Sequence, residues 1–484
     1  MRLTDLIHLG ERVKVQGLID REVTGLTADS RLVGPGFLFA ALPGANIDGQ
    51  RFIPDALSKG AAAVLAAPGA ALPEGSEAAL IIDLEPRRAL ARMAALFYGR
   101  QPETVVAVTG TNGKTSTVTF LRQIWADLGE SAASLGTLGL VDPGRQGGES
   151  LTTPDPVALH ALLAEIAKEG VSHLAMEASS HGLDQFRLDG VKLAAAGFTN
   201  LTRDHLDYHQ TMDAYFAAKS RLFSEVLPEG AVAVLNADSG EFESLQALAR
   251  HRRLHVIDFG RQASALRLIE AEALGEGIRL IVDILGQRRH VLLPVAGGFQ
   301  AMNALCALGL AVATGTASDR ALEGLENLQP VPGRMQLAAA VAGASVYVDY
   351  AHTPDALQTV LVNLRPHAKG RLSLVFGCGG DRDPGKRPLM GEIAASLADR
   401  VIVTDDNPRT EDAGAIRQAI LAACPKGLEI ADRQQAIARA ITELQDGDVL
   451  LIAGKGHEDY QIVGHDKRHF SDVEEAALAA RRRG

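Results

Sequence analysis

The 484-residue chain is poor in aromatic residues, at 4%, and holds one tryptophan, Trp125, so it lacks the stacking platforms that single-stranded nucleic acid uses. A basic stripe is missing too. The formal net charge is −11, whereas a phosphate backbone demands clustered Lys and Arg. The one basic run, Arg481–Arg483, closes the chain and reads as a solvated helix end. Cysteine is scarce: Cys306, Cys378 and Cys424 lie far apart without C-x-x-C spacing, which excludes a disulfide or zinc framework and fits a reducing compartment. Gly, Pro or charge interrupts every apolar stretch before the ~18 residues needed to span a bilayer, and the first residues lack a signal-peptide core. A cytoplasmic protein without nucleic-acid or membrane partners is expected.

What is present is ordinary for globular α/β proteins: 46% hydrophobic and 22% charged residues. At ~150 residues per domain the length allows about three domains. The most informative stretch is Val105–Thr117. Thr104–Val108 reads as a buried strand, a glycine-punctuated turn follows, and a helical pattern runs from Ser116 to Leu128. At such a turn backbone N–H groups point outward and the helix dipole favours an anion. Lys114 can reach terminal phosphates and Thr115 can ligate Mg²⁺. The spacing is unusual, because Val108 stands where the first glycine of G-x-x-x-x-G-K-[ST] would be, and Gly110 with Gly113 makes a tighter turn. A plain strand–turn–helix with an exposed lysine is the bland alternative; the coincidence of glycines, Lys and Thr argues against it.

Residues 1–98 read as a small α/β unit with a strand at Phe37–Ala41, a helix near Phe52–Lys59 and a strand near Ala62–Ala66. Ser30 and Asn46 lie on turns, where capping the local backbone is as good a reading as ligand contact. From 103 to 330 strands and helices alternate, which predicts a largely parallel sheet with ligands at its strands' carboxyl ends. His173–Glu177 is a strand ending in an acid suited to Mg²⁺. Ala194–Thr199 is another strand, and the helix Met212–Phe223 carries Lys219, which reads as a solvated face. His205 alone decides nothing between metal ligand and polar core. Residues 265–293 read as an antiparallel insertion, Gly297–Gly315 as a helix with Asn303 at its start, and Pro330–Arg334 as a hinge.

A second α/β unit follows, with strands near Val346–Tyr350, Leu372–Phe376, Val401–Thr404 and Val449–Ala453, each emptying into a polar or glycine-rich loop. Those loops bring cations (Arg382, Arg409, Lys455) near anions (Asp406, Glu458), a mixture that fits a zwitterion such as an amino acid. The bland reading of Arg409 is a salt bridge within its own loop, to Asp405, Asp406 or Glu411, worth little if exposed. ATP in one unit and an amine in the next point to ATP-driven amide formation through an acyl phosphate.

Across nearly its whole length the chain resembles the Mur ligases of bacterial peptidoglycan synthesis. The carrying motifs are Thr-Gly-Thr-Asn-Gly-Lys-Thr at Thr109, Met-Glu-Ala-Ser-Ser-His-Gly-Leu at Met176, Asn-Leu-Thr-Arg-Asp-His-Leu-Asp at Asn200, Asp-Tyr-Ala-His-Thr-Pro-Asp at Asp349, Gly-Gly-Asp-Arg-Asp-Pro-Gly-Lys-Arg-Pro at Gly379, Asp-Asn-Pro-Arg at Asp406 and Gly-Lys-Gly-His-Glu at Gly454. The resemblance implies a three-domain α/β fold: a small N-terminal α/β domain (1–98) for a UDP-muramoyl dipeptide, a central parallel-sheet ATP-binding domain with a P-loop (99–330), and a C-terminal Rossmann-like domain for the amino acid (331–484). It implies ATP contacts at Gly110, Thr111, Asn112, Gly113, Lys114, Thr115, Ser116, Asn303, Arg334 and Asp349. UDP-muramoyl dipeptide contacts fall at Ala28, Ser30, Ala45, Asn46, Ile47, Thr152, Thr153, Ser179, Gln185 and Arg187. Arg382, Asp406, Asn407, Pro408, Arg409, Gly454 and Glu458 match positions for diaminopimelate, of which Asp-Asn-Pro-Arg is the mark. Lys114, Glu177, His205 and Lys219 would be catalytic, with Thr115, Glu177, His205 and a carbamylated Lys219 around Mg²⁺, so the resemblance replaces the solvated reading of Lys219. Ser116 stands for a frequent second threonine, Gln300 for a frequent asparagine whose contact is not carried over, and Ala45 offers only backbone. A monomer acting on small molecules is expected. Folylpolyglutamate synthase, a lysine-adding relative and a nucleotide switch that binds ATP without ligation are the rival readings.

Overall fold

The computed structural model describes residues 1–7, 14–44, 48–148, 151–274 and 277–483. Ala45, Asn46 and Ile47 therefore lie outside the described residues. The chain builds three α/β units in sequence order. In the first, Gly25–Thr27, Phe37–Ala41, Ala63–Ala66 and Ala79–Ile82 pair in parallel, and Lys14–Gln16 closes one edge antiparallel. Ala63–Ala66 is buried throughout, as expected for a strand packed on both faces.

The central unit is an 11-stranded sheet. Its parallel part runs in spatial order Ala132–Gly136, His173–Glu177, Thr104–Thr109, Leu193–Phe198, Val232–Asn236, His255–Gly260. Thr104–Thr109 thus lies between two strands that come later in the chain. The crevice at such a position, beyond the carboxyl ends, is where open α/β sheets bind ligands. The strands Leu266–Leu274, Gly277–Ile284 and Gln287–Leu293 are antiparallel, as read from the sequence. They extend the same sheet, because Phe259 and Gly260 pair in parallel with Leu266 and Arg267.

In the third unit Ala344–Asp349, Val449–Ala453, Leu372–Phe376, Arg400–Val403 and Leu428–Glu429 are parallel neighbours, with Gln336–Val341 antiparallel on the edge. The loops that follow these strands therefore leave from one side of the sheet.

Three local expectations need correction. The helix after the phosphate loop starts at Lys114, two residues early, because left-handed Gly113 (φ 85°) ends the turn there. The helix from Met212 is α-helical only to Arg221 and continues as a π-turn over Leu222–Val226. Arg483 is not simply solvated: its guanidinium donates to the carbonyls of Ile441 and Leu444, satisfying the end of the helix Arg433–Glu443. Cys306, Cys378 and Cys424 are buried and free. Among the described residues no helix is long and apolar enough to cross a membrane.

Candidate active site

Glycine is dictated at two points of the phosphate loop. Gly110 has φ 145°, and a Cβ there would stand 1.9 Å from Thr199 Oγ1. At Gly113 a Cβ would meet Asn303 Oδ1 at 2.2 Å, while Asn303 is fixed by donating to Gln300 Oε1 at 2.8 Å. Gly113→Ala is expected to cost ~1–2 kcal/mol of stability from left-handed backbone alone, read by thermal melting. It should also raise the KM for ATP by displacing Asn303.

Lys114 Nζ donates to the carbonyls of Gly110 (2.9 Å) and Thr111 (2.7 Å), and burial lowers its pKa. Thr115 Oγ1 donates to Glu177 Oε1 at 3.0 Å and accepts from Arg334 Nη2 at 3.0 Å, so the last residue of the Pro330–Arg334 stretch touches the loop. Glu177 is 1% exposed; Thr137 N holds Oε1 at 2.8 Å and Thr137 Oγ1 holds Oε2 at 3.2 Å. Asn112 joins the units differently, its Nδ2 donating to Asp355 Oδ2 at 3.0 Å and its amide to Asn200 Oδ1 at 2.9 Å.

Lys219 is not on a solvated face. It is 1% exposed, its Nζ donates to Gly110 O at 2.7 Å and lies 4.3 Å from the Tyr215 ring centre. Burial, reinforced by Lys114, pushes its pKa well below that of an ordinary lysine, a shift toward the neutral amine. His205 has φ 54° and lies 3.4 Å from Asp204. Desolvation in the cleft lowers its proton affinity against the pull of Asp204, and the ring is neutral at pH 7.

Residues of the loop, Glu177, His205, Lys219, Asn303, Arg334 and Asp349 line one pocket of 350 Å³, which also carries Phe259, Phe299, Met302 and Val360. Asp349 accepts from the backbone N–H groups of Met335 (2.7 Å) and Ala351 (2.8 Å), and burial raises its pKa. The Arg334 guanidinium stacks 4.3 Å from the Tyr350 ring centre.

A larger cleft of 1270 Å³ opens from this pocket; Thr137, Thr152, Ser179, Asp204, His205, Tyr350 and His352 line both. One wall carries Thr152, Thr153, Ser179 and Arg187, the other Arg382, Asp406, Asn407, Arg409, Gly454 and Glu458. Thr153 Oγ1 donates to Glu177 O at 2.9 Å and receives Ser179 N at 3.0 Å, and Arg187 donates to Thr153 O at 2.6 Å and to Gln185 Oε1 at 2.8 Å. Gln185 and Pro408 support their neighbours without lining the cleft. Ala28 and Ser30 line neither space: Ala28 is exposed in the first unit, and Ser30 is buried there with its carbonyl on Lys59 Nζ at 2.8 Å.

Arg409 escapes the salt bridge weighed for it. Asp405 pairs with Arg417 and Glu411 pairs with Arg387 at 2.8 Å. Arg409 Nη1 instead donates to Gly380 O at 2.8 Å, and its backbone is held at φ 53° by Ile462 O (3.2 Å) and Gly464 N (2.7 Å). A guanidinium that lines the cleft and donates to a carbonyl through Nη1 is suited to a carboxylate. Lys455 needs the opposite correction. It is fully buried and donates to Asn407 Oδ1 at 3.0 Å, bracing the loop rather than facing a ligand. Glu458 accepts from Asn407 Nδ2 at 2.9 Å, and burial followed by Asp406 raises its pKa. Sequence reasoning gave no role to Thr137, Asp204, Tyr215 or His352, although Asp204 and His352 lie within the motifs at Asn200 and Asp349 and Tyr215 stands one helical turn before Lys219.

A phosphate loop at the centre of a parallel sheet, opening onto a polar cleft with an amino-acid-like charge pattern, defines a nucleotide-driven, two-substrate α/β enzyme. Residues 22–98 match the Mur ligase family catalytic domain, 108–311 the Mur ligase middle domain and 333–456 the Mur ligase glutamate ligase domain, and the chain belongs to the Mur ligase family. It is similar to the UDP-N-acetylmuramoyl-L-alanyl-D-glutamate–2,6-diaminopimelate ligase of Mesorhizobium japonicum, 52% identical over 100% of both chains. The ligase of that name from Bradyrhizobium diazoefficiens is 53% identical over 99% of this chain and 100% of its own. A solved structure of a ligase of that name superposes with a TM-score of 0.72 at 32% identity, covering 100% of this chain and 99% of that one.

Proposed function

We propose that this chain is an ATP-dependent ligase that joins meso-2,6-diaminopimelate to the D-glutamate of UDP-N-acetylmuramoyl-L-alanyl-D-glutamate in cytoplasmic peptidoglycan precursor synthesis. The observation that carries it is the Arg409 guanidinium in a cleft continuous with the phosphate-loop pocket. The three units divide the work: residues 1–98 take the UDP-muramoyl end through Ala28, Ser30 and residues 45–47, residues 99–330 take ATP, and residues 331–484 take the diamino acid. Thr152, Thr153, Ser179, Gln185 and Arg187 receive the peptide.

The carboxylate oxygen of the D-glutamate attacks the γ-phosphorus, the bond to the ADP oxygen breaks, and an acyl phosphate forms. The free amine of diaminopimelate then attacks the acyl carbon; the C–O bond to phosphate breaks and the amine's proton is lost. The protein contributes alignment and charge. Loop N–H groups and Lys114 hold the phosphates, Asn303, Arg334 and Asp349 hold the rest of the nucleotide, and Asp406 with Glu458 orients the zwitterion while Arg409 pairs its distal carboxylate.

Mg²⁺ fits the donors present. Thr115 Oγ1 and Glu177 are hard oxygen ligands 3.0 Å apart on the pocket that would take the phosphates, and neutral His205 lines the same space. Among the described residues no three His, Cys, Asp or Glu converge as a self-sufficient site. Phosphate oxygens and waters would complete the coordination of Mg²⁺ there. A carbamate on Lys219 would add a further oxygen, and the ion would neutralise charge on the phosphates.

Phosphate release tests the assignment. Wild-type protein with ATP and Mg²⁺ is expected to release phosphate only when the muramoyl dipeptide and diaminopimelate are both present. Release without diaminopimelate, or lysine turned over as efficiently, overturns it.

A further inference from the structure

One fully buried cation takes no part in the sites above. Arg433 opens the helix Arg433–Glu443, and its side chain and that of Asp472, at the start of the helix Asp472–Arg483, are both 0% exposed. Nε and Nη2 meet the two carboxylate oxygens at 2.7 and 2.8 Å, a bidentate fork that lysine cannot reproduce. The guanidinium has donors left over. Nη2 also donates to Ala453 O at 2.9 Å, and Nη1 reaches Asp405 O at 3.4 Å. Ala453 ends its strand directly before Gly454, and Asp405 lies two residues past the strand Arg400–Val403 and directly before Asp406, so both carbonyls sit at the roots of loops of the amino-acid cleft.

We propose that Arg433 is a positioning residue for the amino-acid substrate, tying together the roots of the two loops that receive it. The inference rests on the reading of that cleft as the diaminopimelate site. Beyond the tie the loops fit with little slack. A Cβ on Gly454 would stand 2.5 Å from Asp406 Oδ2, and Asn407 Nδ2 reaches Glu458 Oε2 at 2.9 Å. Asp406 and Glu458 can share one ammonium only while the two roots keep their separation, and a ~1 Å misplacement of such groups can cost ~10²-fold.

A buried ion pair alone says little about purpose, since apolar residues of like volume often give equal or greater stability. An apolar pair cannot donate to the two loop carbonyls. That difference separates positioning from bulk packing.

The double variant Arg433→Met, Asp472→Leu removes both charges together and is expected to melt close to wild type. Its KM for diaminopimelate should rise ~10-fold or more, while the KM values for ATP and the muramoyl dipeptide stay within ~2-fold. Arg433→Lys, keeping a donor without the fork, should fall between. Without any substrate, hydrogen exchange should quicken at residues 406–409 and 454–458 in the double variant and not at the phosphate loop. Unchanged exchange in both loops, or a parallel rise in all three KM values, overturns the tie. A wild-type protein that never turns over with diaminopimelate overturns the substrate reading instead, and loop exchange then decides the tie by itself.

Discussion

Lys219→Ala is expected to lower turnover roughly 10²–10³-fold, the loss typical of removing one preorganised charge stabiliser. Bicarbonate or another small carboxylate is expected to restore part of it. The reasoning starts from crowding. Lys219, 1% exposed, and Lys114 both donate to the Gly110 carbonyl, at 2.7 and 2.9 Å. Two ammonium groups on one carbonyl repel; Asp204 opposes this at Lys219, and Glu177 followed by Asp204 opposes it at Lys114. Lys219, the more deeply buried, gives up its proton more easily, and a neutral amine can add CO₂. The new N–C bond leaves a proton to solvent and converts a cation beside Lys114 into an anion. That removes the repulsion and would supply Mg²⁺ with an oxygen in addition to those of Thr115 and Glu177. Lys219→Ala opens a gap that a small carboxylate can enter, whereas Lys219→Arg keeps a fixed cation there and should be inactive without rescue. Full activity of Lys219→Ala shows the carbamate to be unnecessary, and intact mass of the wild-type protein reads the added CO₂ directly.

Lys219 also marks the limit of what could be read from sequence. Its helix, Met212–Arg221, follows no strong amphipathic pattern, and the group that gives the lysine its meaning is a carbonyl 109 residues earlier. Family resemblance supplied the role that local pattern could not. Strands were legible because burial on both faces leaves unbroken apolar runs: Leu372–Phe376 and Val449–Ala453 are buried at every position and stand where expected. The phosphate loop was legible because its constraints are local, a left-handed turn and a helix start within a few residues. Glu177 was placed correctly at a strand end, but its support from Thr137, 40 residues back, was invisible. Lys455 failed in the other direction, since a lysine in a glycine-rich loop looks exposed until Asn407 is folded against it. What sequence loses is pairing across units, and those pairs set the charge of the site.

Arg409→Ala is expected to raise the KM for diaminopimelate about 30-fold, on ~2 kcal/mol for a lost charge-assisted pair, and to leave the KM for ATP within ~2-fold. The two effects separate because Arg409 lines the large cleft and not the nucleotide pocket. Diaminopimelate exceeds lysine by one distal carboxylate. In the wild type, lysine would leave the half-buried guanidinium without its anion, so lysine is expected to be disfavoured by what it leaves unpaired. Deleting the guanidinium removes that penalty, and efficiencies for the two amines should converge. Arg409→Lys keeps charge but loses the bidentate fork, and its KM should fall between. Gly380 is the companion position, because its carbonyl accepts from Nη1 at 2.8 Å and a Cβ there would meet Pro408 O at 1.9 Å. Gly380→Ala should therefore shift the Arg409 loop and weaken discrimination while the guanidinium is still present. If Arg409→Ala keeps wild-type preference for diaminopimelate over lysine, the distal carboxylate is recognised elsewhere, and Arg382, the other arginine of that wall, is the next to replace.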